Sequence, residues 1–94
     1  MIVVLLSYKV DPSEITALRP AHLDWLQRGL ESGKLLLSGR KVPVTGGMLL
    51  VRGTLDEVQA WCAEDPFALH DVASYEYFEY APSMAAPGLE SLLP

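Results

Sequence analysis

Apolar residues along the chain fall into four short runs, each bounded by polar or turn-forming residues. The runs at residues 2–9, 34–41 and 48–52 are rich in leucine or β-branched residues, and the run at 72–80 alternates aromatic residues with carboxylates. Each run is too short to stand alone as a helix, and this composition is typical of strands. The pattern therefore predicts four β-strands.

Two segments between these runs carry helix start patterns. The sequence DPSE at residues 11–14 combines a cap residue, a proline suited to the first helical position and an acid three residues after the cap. It predicts a helix that ends near Gly33. Pro20 lies inside that helix and predicts a kink, or two abutting helices. TLDE at residues 54–57 predicts a capping box that opens a second helix through about Ala63.

The order of these elements is β-α-β-β-α-β, with Asp65-Pro66-Phe67 ending the second helix because the residue before a proline avoids helical geometry. This order predicts an α+β fold of the ferredoxin-like type. Right-handed crossovers would place the first and third strands at the centre of the sheet, with both helices on one face.

The first three strands are apolar at successive positions rather than at alternate ones. A strand with one face in water would alternate, so both faces of the sheet are expected to be covered. The helices cover one face, and a second copy would cover the other. The sequence therefore predicts a homodimer through the sheet face, a dimeric α+β barrel. The alternative is that these strands are leucine-rich for no reason of burial.

The chain has 94 residues, which suits one domain. Residues 1–82 are predicted to form the domain and residues 83–94, which contain two prolines, a C-terminal tail. Three roles are open for the tail: covering a pocket, binding the partner subunit or staying mobile.

Charge excludes several classes of partner. Twelve acidic and seven basic side chains give a net charge of −5, and Arg40-Lys41 is the only basic pair. Proteins that bind nucleic acid or anionic membranes cluster Lys and Arg, so neither partner is expected. A secretory leader pattern, a membrane-length apolar run and internal disulfide pairing of the single Cys62 are all missing. A cytoplasmic location is therefore expected.

No known cofactor pattern occurs in the chain. The two histidines and one cysteine do not have zinc spacing, so no metal site is expected. Phosphate-loop and dinucleotide fingerprints are also missing. The expectation is a protein that uses no metal and no organic cofactor. Cys62, between Trp61 and Ala63 on a helix, is interpreted as a core residue rather than a nucleophile.

His22 is the first candidate for chemistry. It lies on the same helical stripe as Ile15, Leu18 and Leu26, which faces the sheet. Burial disfavours the charged imidazole and a nearby carboxylate would oppose that effect, giving a general base or acid that works near neutral pH. By position alone, a histidine on an apolar stripe is more often a hydrogen-bonded core residue.

Asp65 is the second candidate, since a carboxylate near His22 would orient its ring. Asp-Pro is also common turn chemistry. Ser38 and Gly39, at the end of the second strand, would allow close approach of a ligand and donate a hydrogen bond, or form a simple bulge. Arg19 would hold an anion, or lie unused on the helix surface.

Four segments resemble a known family: RPAHL at 19–23, GKLLLSG at 33–39, GG at 46–47 and DPF at 65–67. In order and spacing they are similar to the YciI-like proteins, also called YCII-related. The resemblance implies a dimer of ferredoxin-like subunits with a pocket in which His22 meets Asp65, lined by Ser38 and Gly39. Phe67 of the DPF segment is also expected at this site. One relative is a dehydrochlorinase of a chlorinated hydroxyhydroquinone.

The chain departs from the family pattern at Arg40, where a proline usually follows Ser-Gly, and this adds a charge near the pocket. The turn before the third strand is also shorter than usual. The leading hypothesis is a cofactor-independent lyase or isomerase in which a His22–Asp65 pair moves a proton on a small cyclic or aromatic, anionic substrate held by Arg19 or Arg40. The alternatives are a non-catalytic binding or accessory domain, and a heme or quinone-type monooxygenase of the same superfamily shape.

Overall fold

The computed structural model describes all 94 residues. Four strands and three helices follow in the order β1, α1, β2, β3, α2, α3, β4, and a 3₁₀ turn lies near the C-terminus. Their bounds are β1 Ile2–Tyr8, α1 Pro12–Glu31, β2 Leu35–Arg40, β3 Gly46–Val51, α2 Leu55–Cys62, α3 Pro66–Leu69, β4 Ala73–Glu79 and the 3₁₀ turn Glu90–Leu92.

The four strands form one antiparallel sheet in the order β2-β3-β1-β4. The first and third strands therefore occupy the centre, as the sequence predicts, and the fold is the ferredoxin-like α+β arrangement. Along β1, Ile2, Val4 and Leu6 are buried, whereas the alternate residues Val3 and Leu5 are only half-buried. The buried set shares one core cluster with the helices, so all the helices lie on one face.

The core lies between the helices and that face of the sheet. Helix α1 contributes Ile15, Trp25 and Leu26, and α2 contributes Trp61. The rings of Trp25 and Trp61 stack with their centroids 4.0 Å apart, which joins the two longer helices to each other. The sheet-facing stripe of α1 that the sequence predicts is confirmed.

Helix α1 differs from the prediction at two places. It runs unbroken from Pro12 to Glu31 with Pro20 inside it, so the expectation of two abutting helices is wrong. Proline removes one backbone donor only, and the residues packed on the core on both sides hold the helix together. The Asp11 side chain makes no capping hydrogen bond, contrary to the DPSE pattern. The stop at Gly33 is confirmed by its positive φ of 78°.

Helix α2 begins with the predicted capping box. Thr54 accepts from the backbone N–H of Glu57, and the Glu57 carboxylate accepts from the backbone N–H of Thr54. The sequence prediction misses α3, a single turn that begins immediately after Asp65. Asp65 and Pro66 end one helix and at once start another, because proline at the first helical position needs no hydrogen-bond partner.

The second face of the sheet, which we call the open face, carries no helix. Register places Leu37, Leu50, Val3 and Phe78 in one row across all four strands, and Leu37 and Phe78 are 61% and 50% exposed. The strands are therefore apolar on both faces, as the sequence predicts. No helix is long and apolar enough to cross a membrane. The cytoplasmic location stays a prediction.

The C-terminal tail returns to one end of the sheet. The Arg52 guanidinium donates to the Ser91 carbonyl at 3.0 Å, and Leu92 borders a cavity together with Met1 and Leu50. The division into a domain at 1–82 and a tail at 83–94 stays a prediction.

Gly46 lies where β3 approaches β1 most closely. A Cβ atom on Gly46 would lie 1.8 Å from the Leu6 carbonyl oxygen, whereas a Cβ on Gly39 would meet nothing within 4 Å. We therefore expect Gly46→Ala to lower the free energy of unfolding by about 3 kcal/mol, since two central strands must separate. Gly39→Ala is the matched control and should change it little. Urea unfolding followed by circular dichroism measures both, and equal stabilities of the two variants would contradict the close approach.

Candidate active site

His22 and Asp65 meet between α1 and α3. The imidazole Nδ1 of His22 lies 2.7 Å from Asp65 Oδ1, and only 12% of the histidine side chain and none of the aspartate side chain is exposed. Helix α1 directs His22 toward the sheet, and the turn between α2 and α3 places Asp65 below it. The hydrogen bond that the family resemblance implies is therefore present in the structure.

The Asp65 carboxylate accepts hydrogen bonds at both oxygens. Oδ1 accepts from His22 and from the backbone N–H of Phe67 at 3.0 Å, and Oδ2 accepts from the Tyr75 hydroxyl at 2.5 Å. A buried carboxylate is costly unless donors surround it. Three donors from α1, α3 and β4 satisfy this one, so it can remain ionised inside the core.

This arrangement decides which histidine nitrogen is free. An ionised carboxylate only accepts hydrogen bonds, so Nδ1 of His22 carries the proton that it donates to Asp65. In the neutral ring the other nitrogen, Nε2, then holds a lone pair. His22 is therefore set up as a base at Nε2, with a carboxylate behind it to stabilise the charged ring.

Phe67 fixes the plane of the imidazole. Its ring stacks on the His22 ring with centroids 3.9 Å apart and planes within 7° of parallel. The ring of Tyr8 in turn meets Phe67 edge-on at 6.0 Å. Phe67 is 1% exposed, so the surface on which His22 lies is rigid core. The expected site residue Phe67 thus contacts the imidazole and also packs in the core.

A cavity of about 200 Å³ opens above His22. The sequence-predicted residues come together in its lining, whereas Asp65 lies behind His22 and does not line it. The cavity is lined by Leu6, Tyr8, Arg19, His22, Leu23, Leu26, Ser38, Gly39, Arg40, Gly46, Gly47, Leu49 and Phe67.

The charge of this lining is opposite to that of the chain. It contains two arginines and no acidic side chain, although the whole chain carries a net charge of −5. Two guanidinium groups attract an anionic ligand, and no carboxylate in the lining repels it. The cavity therefore favours an anionic ligand. A cavity of roughly 150 Å³ is enough to hold benzene, so a molecule with one ring fits this volume.

The buried hydroxyl and thiol near Asp65 stay protonated. Burial, and then the hydrogen bond to Asp65, raises the pKa of Tyr75 well above its usual range, so Tyr75 remains a donor. Burial raises the pKa of the Cys62 thiol to about 12. Cys62 is 1% exposed and belongs to the core, in keeping with its interpretation from the sequence.

Comparison with known proteins identifies the family. The family model described as the YCII-related domain matches residues 1–81. The chain belongs to the YCII-related domain family. No curated protein matches the chain. Among solved structures, it is similar to 5-chloro-2-hydroxyhydroquinone dehydrochlorinase from Burkholderia phenoliruptrix AC1100 in complex with 2,5-dihydroxybenzoquinone, at 18% identity. The TM-score is 0.70, with 88% of this chain and 96% of that chain covered, which shows a shared fold.

Arg40 follows Ser38 and Gly39 at the position where the family resemblance leads us to expect a proline. It ends β2 opposite Gly47, on the side of the sheet that faces the helices, and it lines the cavity. The extra charge therefore lies at the pocket, as the sequence predicts.

Sequence reasoning missed Tyr75. Its alternation with Glu76 along β4 would have placed it on the same face as Tyr77, and a tyrosine on a helix-facing strand position needs a hydrogen-bond partner. The identity of that partner, Asp65, is a matter of tertiary contact. The structure also holds no group of three or more side chains suited to a metal ion. The expectation of a cofactor-free protein remains a prediction.

Tyr75 should weaken the hydrogen bond between His22 and Asp65. Its hydroxyl withdraws charge from the carboxylate, so removing it in Tyr75→Phe should strengthen the hydrogen bond that Asp65 accepts from His22 Nδ1. We expect the Nδ1 proton signal of His22 to move downfield in NMR at a fixed pH. Tyr77→Phe, two residues along the same strand face, is the control. An unchanged Nδ1 proton signal in Tyr75→Phe would show that this hydroxyl does not act on the pair.

Proposed function

We propose that this YCII-related domain is a cofactor-independent enzyme that moves a proton on a small cyclic or aromatic, anionic substrate. The observation that carries the proposal is the 2.7 Å contact between His22 and Asp65 at the wall of a cavity lined by two arginines and no acidic group. Such a site combines a base with fixed positive charge. Those are the two requirements for removing a proton from a carbon next to a carbonyl group, whose oxygen gains negative charge as the proton leaves.

The step balances without a redox partner. The Nε2 lone pair of His22 takes a proton from a ring carbon, and the electron pair of the broken C–H bond forms a new double bond or an enolate. In an elimination, a leaving group on the neighbouring carbon departs with its bonding electrons. In an isomerisation, His22 returns the proton to a different carbon. Asp65 stabilises the imidazolium in both cases, and it does not itself take the proton.

Arg19 and Arg40 would hold the developing negative charge. Both line the cavity with His22, on α1 and β2 respectively. Guanidinium groups bind carboxylates and oxyanions through paired N–H donors, and a closed site strengthens that attraction. Ser38 would contribute a hydroxyl donor from the same strand end. These roles are part of the proposal.

The solved structure with the same fold supports an aromatic substrate. It is a dehydrochlorinase of a chlorinated hydroxyhydroquinone, and its complex contains 2,5-dihydroxybenzoquinone. Loss of hydrogen chloride from a ring combines the proposed proton transfer with the departure of chloride as the leaving group. A planar ring with acidic hydroxyl groups would fit the volume of this cavity, and its negative charge would pair with the two arginines.

A binding domain without turnover is the second candidate. The core location of the His22–Asp65 pair favours it, since Phe67, Tyr75 and both members of the pair also hold α1, α3 and β4 together. In that case the cavity would bind the same class of anion, and His22 would serve as a hydrogen-bond donor or acceptor. The experiment must therefore separate binding from proton transfer.

Hydrogen–deuterium exchange at carbon tests proton transfer directly. The ring C–H bonds of 2,5-dihydroxybenzoquinone exchange with solvent through a protonated-carbon intermediate, and NMR in heavy water follows the loss of their signal. We expect the protein to accelerate this exchange and His22→Gln to reduce the acceleration by about a hundredfold or more. Asp65→Asn should reduce it less, because Nε2 is still present.

The control is Arg28→Gln, an exposed position on α1 outside the cavity, which should exchange at the wild-type rate. Binding with no acceleration by the wild type would favour the binding domain over the enzyme. Acceleration that persists in His22→Gln would overturn the assignment of the base.

We also propose that the open face pairs two copies into a homodimer. The row Leu37, Leu50, Val3 and Phe78 gives a continuous apolar strip from one edge of the sheet to the other. Exposed apolar strips of this extent mark contact surfaces. A second copy carries the same strip, so a twofold arrangement is self-complementary.

Charges on this strip should separate the copies. We expect light scattering after size-exclusion chromatography to give a dimer for the wild type and a folded monomer for Phe78→Lys combined with Leu37→Lys. Leu69→Lys is the control, since Leu69 is 69% exposed on α3 on the helix side. A well-folded wild-type monomer at micromolar concentration would contradict the pairing.

A further inference from the structure

We propose that the substrate cavity continues along α1 into a second, apolar subsite, so that the substrate is a ring acid with an apolar side chain. This inference rests on the proposed function and names the substrate class for the same site. The subsite is a cavity of about 280 Å³, which exceeds the one above His22. Its walls include Val10, Ile15 and Val44.

The two cavities share part of their walls. Tyr8 and Arg19 line both of them, whereas His22 and Arg40 line only the first and Val44 only the second. One ligand in contact with Arg19 can therefore reach into both spaces. We call this shared wall at Arg19 the joint, and an anionic group of the ligand would contact the Arg19 guanidinium there.

Three segments line both cavities: α1, the end of β1 and the residues around the start of β3. In each segment, neighbouring residues line neighbouring cavities. Along α1, residues 12, 15, 16 and 19 line the second cavity and residues 19, 22, 23 and 26 line the first, which is a single helical stripe. At the end of β1, residues 8 and 10 line the second cavity and residues 6 and 8 line the first. At the start of β3, residues 44 and 45 line the second cavity and residues 46 and 47 line the first. The linings of the two spaces therefore follow α1 without a gap, and in the proposal the two spaces act as one trench along α1.

The chemistry of the trench changes along its length. Near His22 it offers the imidazole, Ser38 and Arg40, while beyond Arg19 no charged side chain lines it. The Thr16 hydroxyl already donates to the Pro12 carbonyl, so it does not need a hydrogen-bond acceptor on the ligand. An alkyl or second-ring substituent fits this part, since burying apolar groups is favourable and no charged group beyond Arg19 must lose its water.

The length of the trench sets the size of the side chain. Ile15 and His22 are seven positions apart on α1, which corresponds to about 10 Å of helix rise. A substituent of roughly four to six carbons on the ring would reach from the Arg19 joint to Val44 and Ile15 on that scale. A ring acid without a substituent would leave the second cavity unfilled.

A pair of ligands tests this with the full chain. We compare 2,5-dihydroxybenzoquinone with the same molecule carrying a hexyl group on a ring carbon, and measure both dissociation constants by titration. We expect the hexyl compound to bind the wild type about tenfold more tightly, which corresponds to the burial of about two methylene groups. In NMR, the Ile15 and Val44 methyl signals should shift with the hexyl compound and not with the parent.

Two neighbouring valines provide a matched pair of variants. Val44 lines the second cavity, whereas Val42 lies in the same turn, is 96% exposed and does not line either cavity. Val44→Ser should reduce the preference for the hexyl compound to about threefold, and Val42→Ser should keep it at the wild-type value. The ratio of the two affinities cancels any change in the binding of the ring itself.

The outcomes separate this inference from the proposed function. If both compounds bind equally tightly and shift the His22 signals, the apolar subsite is wrong, while the anionic ring site that the proposed function needs is retained. If the hexyl preference is the same in Val44→Ser and Val42→Ser, the side chain lies elsewhere and the subsite is also wrong. If neither compound binds, both the subsite and the proposed anionic ring substrate are overturned.

Discussion

The buried carboxylate of Asp65 is the interaction on which the rest of this site depends. It is fully buried and accepts from His22 on α1, the backbone of Phe67 on α3 and Tyr75 on β4. A charge in that position is tolerated only while all its donors stay in place. The same contacts that satisfy the charge therefore fix three elements to one another and hold the imidazole in one orientation.

The two faces of the sheet carry different kinds of residue. The helix-facing side has a buried carboxylate, an oriented imidazole and a cavity lined by two arginines. The open face has no such groups in its apolar row and offers area for a partner. In this domain the helices cover one face of the sheet and leave the other exposed. The proposed proton chemistry on one side and the proposed pairing on the other are compatible because the sheet lies between them.

Local patterns predicted most of the fold. The four strands, the capping box at Thr54 and the stop at Gly33 are confirmed, because each depends on residues within a few positions of one another. Asp11 is the N-cap residue, as the DPSE pattern predicts, but its side chain makes no capping hydrogen bond, and the helix runs unbroken past Pro20. Packing of the helix on the core on both sides of Pro20 outweighs the local preference for a break. The short helix α3 was missed, since a turn and a single helical turn have the same start pattern.

The sequence by itself determined the order of elements, the apolar character of both sheet faces and the stripe on α1 that holds His22. It also placed the RPAHL and DPF segments in the YCII-related pattern, now shown by the family match over residues 1–81. Only the tertiary structure decided that His22 and Asp65, 43 positions apart, are in hydrogen-bond contact, that Tyr75 completes the set, and that two cavities meet at Arg19. Periodicity along the sequence predicts which face of a helix or strand a side chain lies on. The distance between two side chains on different elements depends on how the helices pack on the sheet.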